Sequence, residues 1–399
     1  MVPMRHHMMT VVAASLVFTL GAAVAASCET VLHSFLGGTD GSYPAAGVID
    51  QAGNIYGTTR YGGANGFGTV FKLTQSGGVW TETVIYNFAG GNDGDSPAAS
   101  LVMDAGGNLY GTTRLGGPAN AGTVFELLPA GSSWTEKVLY AFTGGSDGGS
   151  PQAAVTLRGN ALYGTTPGGG AKGNGNVFEL KQVNGTWEER VLYSFAGGNN
   201  DGAYAYCQPV FDKLGNMYGT TASGGPNQEG TVFELQPTGK NWTETILHFF
   251  TGNSDGANVD DGVIMDSAGN LYGLTLSGGQ YSSGTAYEMI NSNGTWTEQV
   301  LYSFTGGLDG GFPSAGLAID KSGNLFGTAF NGGTNGFGTV FELTPSAGTW
   351  TETVLYTFTG GNDGALPLST PLVKGTHLLG TTVEGGTAQF GVVFEVPYP

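Results

Sequence analysis

The strongest constraint on this chain is a six-residue phrase that keeps returning. Residues 53–58 read G-N-I-Y-G-T, 107–112 read G-N-L-Y-G-T, 215–220 read G-N-M-Y-G-T, 269–274 read G-N-L-Y-G-L and 323–328 read G-N-L-F-G-T. Looser copies pass through Tyr163-Gly164-Thr165 and Leu379-Gly380-Thr381. The second glycine stands at 57, 111, 164, 219, 273, 327 and 380, seven times at a spacing of 53 to 55 residues. A period of this size marks a propeller, solenoid or array, in which each unit buries its apolar face against its neighbour.

Each period holds four short strand patterns. In the sixth unit they fall at 313–320, 324–328, 338–343 and 350–358. All are rich in β-branched and aromatic residues and bounded by Gly, Asn, Asp or Pro. In the fourth, Val354, Tyr356 and Phe358 alternate with Leu355 and Thr357, as in a sheet whose two faces differ in burial. No segment carries a useful helical period. Four antiparallel strands repeated seven times predict an all-β, seven-bladed β-propeller. Trp80, Trp134, Trp187, Trp242, Trp296 and Trp350 each open a fourth strand, so they read as packing between blades. The two ends complement one another: residues 28–35 align with a fourth strand and 392–396 with a third. Pairing the N-terminal strand into the last blade closes the ring and removes two open edges.

Composition agrees with many short strands joined by glycine turns. Glycine is abundant (73 residues), yet 40% of the chain is hydrophobic and 11% aromatic, unlike a disordered glycine-rich polymer. The formal charge of −18 becomes −19 if a leader containing Arg5 is removed. Such a chain repels nucleic acid and anionic lipid. Arg5, His6 and His7 precede an apolar run at 10–23 that is too short to span a membrane. Small residues at 23–26 suit cleavage. The expected organisation is therefore a signal peptide at 1–26 and a propeller at 27–399, secreted or held in the cell envelope, monomeric, with no transmembrane helix in the mature chain. Cys28 and Cys207 lie roughly across the ring and are not expected to bridge. Residues 25–28 weakly match a lipoprotein box, which makes lipid on Cys28 the lesser alternative.

The combined pattern resembles the choice-of-anchor tandem-repeat family known as GloVer. It runs T-V-L-Y-x-F-T-G-G-x-D-G, then P-x-A-G-L-x-x-D-x-x-G-N-L-Y-G-T-T, then G-G-x-x-G-x-G-T-V-F-E-L, and residues 311–343 and 353–364 display it almost in full. The resemblance spans essentially the whole mature chain. It implies an exported bacterial surface or envelope protein and brings no established activity. Family members often end in a sorting anchor, whereas this chain ends Pro397-Tyr398-Pro399. The strand pattern is also similar, in architecture alone, to lactonase-like and lyase-like propeller enzymes.

No catalytic constellation stands out. His33 and His248 occupy a slot that is tyrosine at 86, 140, 193, 302 and 356, and His377 stands alone. There is no His/Cys metal spacing and no G-x-S-x-G elbow. Asp40, Asp93, Asp147, Asp201, Asp255, Asp309 and Asp363 each precede a glycine at the link between units. They read as turn carboxylates capping local backbone; a calcium-binding ring is the alternative, and no other cofactor is expected. A second set, Asp50, Asp104, Asp212, Asp266 and Asp320, reads as turn residues on the opposite face.

Function in a symmetric scaffold is best sought where symmetry fails. Proline follows the link aspartate at 44, 97, 151, 313 and 367, but the fourth unit has Ala205 within Tyr204-Ala205-Tyr206-Cys207-Gln208, and the fifth has Val259 before Asp260-Asp261. Roughly across the ring, Arg60 and Arg114 follow the G-T-T of the first two units. A central pocket lined by Arg60, Arg114, Tyr204, Tyr206, Asp260 and Asp261 is the candidate ligand site, with no catalytic residue assigned. The expected role is a non-catalytic binding or scaffold propeller of the envelope, with a glycan or envelope protein as partner. The alternative is a lactonase- or lyase-like enzyme acting on a polar substrate at the central face.

Overall fold

The computed structural model describes residues 29–399; the leader and Cys28 lie outside the described residues. Seven four-stranded antiparallel sheets follow one another around a central channel, and no helix occurs among the described residues. Blade 1 runs from the channel outward through Ser42–Ile49, Ile55–Tyr61, Thr69–Ser76 and Val79–Asn87. Blade 7 takes its outermost strand from the other end of the chain. Thr30–Ser34 pairs antiparallel with Val392–Pro397, matching Thr30 to Glu395 and Ser34 to Val392. The ring thus closes through the borrowed N-terminal strand.

The cores lie between blades. The cluster joining blades 1 and 2 holds Tyr56, Val70 and Phe88 from one and Leu101, Leu109, Phe125 and Leu127 from the other, with Trp134 against it. Equivalent clusters occupy the other six interfaces. The recurring tryptophans are therefore interblade packing, some of them edge-on to the tyrosine of the repeat, as in Tyr56–Trp134 and Tyr272–Trp350. The repeat's second glycine has its own reason. Each faces the aromatic ring of the third strand across the ladder, as Gly111 faces Phe125. A Cβ at Gly111 would stand 2.6 Å from Phe125 Cζ, so only glycine leaves the aromatic ring its place.

Apart from Ser42–Ile49 of blade 1, the innermost strands are shorter than the sequence implies. An eight-residue strand is expected at 313–320, but only Ala318–Ile319 joins the ladder. The residue before each proline position adopts left-handed backbone: Tyr43 (φ 56°), Ser96 (57°), Ser150 (56°), Tyr204 (60°), Asn258 (56°), Phe312 (55°) and Leu366 (56°). Proline removes a ladder donor, and this kink turns the segment across the channel wall. Its backbone is satisfied sideways instead. The N–H of each left-handed residue donates to the glycine-loop carbonyl of the preceding blade, as Tyr204 N does to Asn174 O (2.9 Å). Hydroxyls of the second strand reach the next blade's inner carbonyls, Thr112 to Ala153 (3.0 Å) and Thr220 to Asp261 (2.6 Å).

Both aspartate sets cap local backbone. Asp50 accepts from Ala52 N, Asn54 N and the Tyr56 hydroxyl. At the opposite end of the blade, Asp93 Oδ2 accepts from Ala89 N (2.8 Å) and the Tyr86 hydroxyl (2.9 Å). His248 takes the tyrosine's part toward Asp255 at 3.2 Å. The glycine loops share this end, with Gly63 N donating to Gly38 O.

The outer strands add a feature absent from the sequence reading. The glutamate two residues after each tryptophan position faces the link aspartate of the preceding blade: Glu29 with Asp363, Glu82 with Asp40, Glu136 with Asp93, Glu189 with Asp147, Glu244 with Asp201, Glu298 with Asp255 and Glu352 with Asp309. In all seven, Oε1 is buried with no hydrogen-bond partner. Burial first, and the nearby aspartate second, push these carboxyls up to about 7, and Glu244 to about 8.

Two outcomes follow. Phe35, fully buried where blade 7 meets blade 1, lies just past the closing strand; Phe35→Ala costs about 3–5 kcal/mol in a denaturant titration if that closure carries the fold. The glutamate carboxyls lie above their unfolded values, so the stability they contribute is full below about pH 4.5 and is lost as pH rises through about 7. His33 and His248 are shifted down by burial and oppose this, two groups against seven. Tm therefore falls between pH 5 and pH 8. Glu136→Gln raises Tm at pH 8 and not at pH 5; a wild-type Tm that climbs over this range contradicts the assignment.

Candidate functional site

The residue immediately after each proline position faces the channel. Going round the ring these are Ala45, Ala98, Gln152, Tyr206, Asp260, Ser314 and Leu368, one per blade, and all seven line a single cavity of about 540 Å³. The volume lies within the range of small-molecule sites. Because the left-handed kink precedes this position in every blade, the backbone presents equivalent points and only the side chains differ. Blades 4 and 5 lack the proline yet keep the kink, at Tyr204 and Asn258. Their departures from the repeat change the lining and leave its frame alone.

Five of the six candidate residues line this cavity: Arg60, Arg114, Tyr206, Asp260 and Asp261. Tyr204 does not. It occupies the kink itself, 43% exposed, two residues before Tyr206. Arg60 is next to last in the second strand of blade 1, with its guanidinium 5.4 Å from the Tyr61 ring centroid. Tyr61 in turn packs edge-on against Tyr43, with centroids 5.5 Å apart. Arg114 holds the corresponding place in blade 2, its backbone N–H donating to Ser96 O. Alanine at 45 and 98 leaves room beside both arginines.

The opposite wall is acidic. Asp261 is fixed: Oδ1 accepts from Gly262 N (2.6 Å), and Oδ2 approaches the Thr370 hydroxyl (3.5 Å) of blade 7. Thr370 Oγ1 also accepts from Gly316 N (2.9 Å), which ties blades 5, 6 and 7 together at this level. Enclosure by protein pushes the Asp261 carboxyl up to about 6, against the pull of these hydrogen bonds. Asp260 is raised by burial alone. The Tyr206 hydroxyl is raised by burial and by Asp260, and partly relieved by Arg114. Tyr206 therefore stands between the two charged walls.

The sequence reading missed Gln152, Gln208, Ser100, Ser314, Ser369 and Thr370, which complete the polar lining. Aligning the seven repeats and reading the single column after the proline would have found Gln152 and Ser314. Cys207, one residue past Tyr206, is a free buried thiol whose sulfur accepts from Thr220 N at 3.3 Å; it packs behind the wall. Among the described residues no three His, Cys, Asp or Glu side chains come together as a metal would require, and no helix is long and apolar enough to cross a membrane.

Comparison with known proteins gives the fold a wide kinship. The chain is similar to a candidate 6-phosphogluconolactonase from Bacteroides uniformis ATCC 8492, at 15% identity and a TM-score of 0.54, over 84% of this chain and 88% of that one. A second candidate 6-phosphogluconolactonase, from Bacteroides fragilis NCTC 9343, aligns at 14% identity and a TM-score of 0.52, over 84% and 86%. At these identities the likeness shows the propeller fold alone. No curated protein matches the sequence. The Gloeobacter/Verrucomicrobia repeat matches residues 11–208 and again residues 188–394, and the chain belongs to that repeat family.

Proposed function

We propose that this chain is an exported, non-catalytic binding propeller of the cell envelope, acting as a monomer, with the central cavity as the seat of a polar ligand such as a glycan end. One observation carries the reading. The departures from the repeat at blades 1 and 2 (Arg60, Arg114) and at blades 4 and 5 (Tyr206, Asp260, Asp261) converge on one cavity, although they are far apart in sequence. Conserving a fold needs none of them, since other blades manage with alanine, serine or leucine at the same level. The repeated carboxylates of the blade links are spoken for by backbone N–H groups, so a calcium role for them has the weaker support.

A second reading, hydrolysis of an anionic lactone, draws on the fold shared with the candidate lactonases. Two arginines suit an anionic substrate, and a carboxyl held near 6 suits general-base work. The wall, however, offers no Ser-His or Cys-His pair to make a nucleophile, and Asp261 is already engaged by its neighbours.

One experiment separates the two. A glycan-array screen of the protein, with Asp260→Ala and Asp261→Ala as controls, is run beside a pH-stat assay on a phosphorylated δ-lactone. The binding reading expects glycan signals that both variants lose, and lactone hydrolysis at the uncatalysed rate. Hydrolysis that is accelerated and lost in Asp261→Asn would overturn it.

A further inference from the structure

The cavity is polarised, and its two walls do not neutralise each other. Arg60 and Arg114 stand on one side, Asp260 and Asp261 on the other. Among the described residues neither arginine makes an ion pair, though the chain carries 31 acidic side chains against 13 basic ones. In so acidic a protein, guanidinium groups would ordinarily find carboxylates. Nε of Arg60 is buried and without a hydrogen-bond partner, and each guanidinium offers five N–H donors in a fork that fits a carboxylate. Across the cavity, Asp260 has no hydrogen-bond donor on its carboxylate among the described contacts, and the Asp261 carboxyl, held by Gly262 N, lies next to it. A half-buried charge without a partner forgoes part of its hydration and gains no pairing in return. Two such charged walls of opposite sign in one space persist most readily when something bridges them.

Resting on the reading of this cavity as a binding site, we propose that its occupant is an amino-carboxylate: a molecule or chain end whose carboxylate lies on Arg60 and Arg114 while its ammonium group faces Asp260, backed by Asp261. Tyr206, Gln152 and Gln208, placed between the walls, offer hydroxyl and amide groups to whatever polar backbone joins the two charges. A purely anionic ligand leaves the aspartates unmet and repels them. A cation alone does the same to the arginines. A neutral sugar uses the hydrogen-bonding groups and leaves both charged walls unpaired.

The test is calorimetric titration of the full chain with four kinds of probe matched in length: ω-amino acids from 4-aminobutyrate to 8-aminooctanoate, adipate, 1,6-diaminohexane and maltotriose. The expected result is that at least one ω-amino acid binds ten times more tightly than adipate, the diamine and maltotriose. Arg60→Gln with Arg114→Gln, and separately Asp260→Asn, each weaken that binding at least tenfold while keeping the wild-type circular dichroism. Asp260→Asn also shifts preference toward adipate, an effect that a merely structural role would not produce. If adipate matches the best ω-amino acid, or none of the series exceeds the other probes, the dipolar occupant is wrong. If maltotriose is then the tightest ligand, the cavity remains a binding site and only its charge assignment falls. If no probe binds and the glycan array is also silent, both readings fall together.

Discussion

Seven backbone hydrogen bonds hold the channel in shape. Each runs from a residue in left-handed conformation at the entry of an innermost strand to a glycine-loop carbonyl in the preceding blade. Left-handed backbone at Tyr43, Tyr204, Phe312 and Leu366 is unfavourable, of order 1–3 kcal/mol apiece, and persists because the neighbouring blade supplies an acceptor and leaves no alternative. The acceptor side is equally constrained. The glycine that follows it, such as Gly284 (φ 96°), would place a Cβ 2.7 Å from Cδ of Pro313 in the next blade. Glycine loop and proline kink are thus two halves of one interblade contact. Closure of the ring multiplies it: each blade is held on both sides, and the strain in one kink cannot relax without moving the next blade.

Much of this was legible in the sequence because it repeats. The period gave the number of blades, and the offset between the two ends gave the closing strand, since a fourth-strand pattern at Thr30–Ser34 and a third-strand pattern at Val392–Pro397 complete one another. The turn aspartates were legible for a local reason, as their partners lie within a few residues. The tryptophans announced the apolar contacts between blades, but the polar ones were hidden. The outer-strand glutamates drew no reading from the sequence. Only the ring sets Glu136 against Asp93 of the blade before it, 43 residues away in sequence. The innermost strand was overestimated for a related reason: a run such as P-S-A-G-L-A-I-D has strand composition, while its first half bonds to neighbouring blades.

The candidate site shows the same division. Arg60, Arg114, Tyr206, Asp260 and Asp261 were visible as departures from a pattern and meet at one cavity. Gln152 and Ser314 escaped notice because glutamine and serine are unremarkable beside a proline. Tyr204 stood out as an aromatic in a broken repeat, but its place at the kink directs attention to Tyr206, two residues on. In a propeller the side chain that meets the ligand is decided by position after the kink, and composition alone does not reveal which residue that is.

The charge distribution ties scaffold and site together. Around the ring, each of the seven interfaces sets one buried glutamate against one link aspartate, and the glutamate carboxyls are pushed up to about 7, and Glu244 to about 8. At the centre the arrangement is not repeated: Asp260 and Asp261 are adjacent on one blade, and the cations that could offset them stand across an open space. A scaffold selected for stability alone would pair these charges or replace them with the alanine and serine found at 45, 98 and 314. Retaining unpaired charge of both signs in the one place where the symmetry is broken costs stability locally. The seven interblade contacts supply the rigidity that lets the channel carry that cost without rearranging.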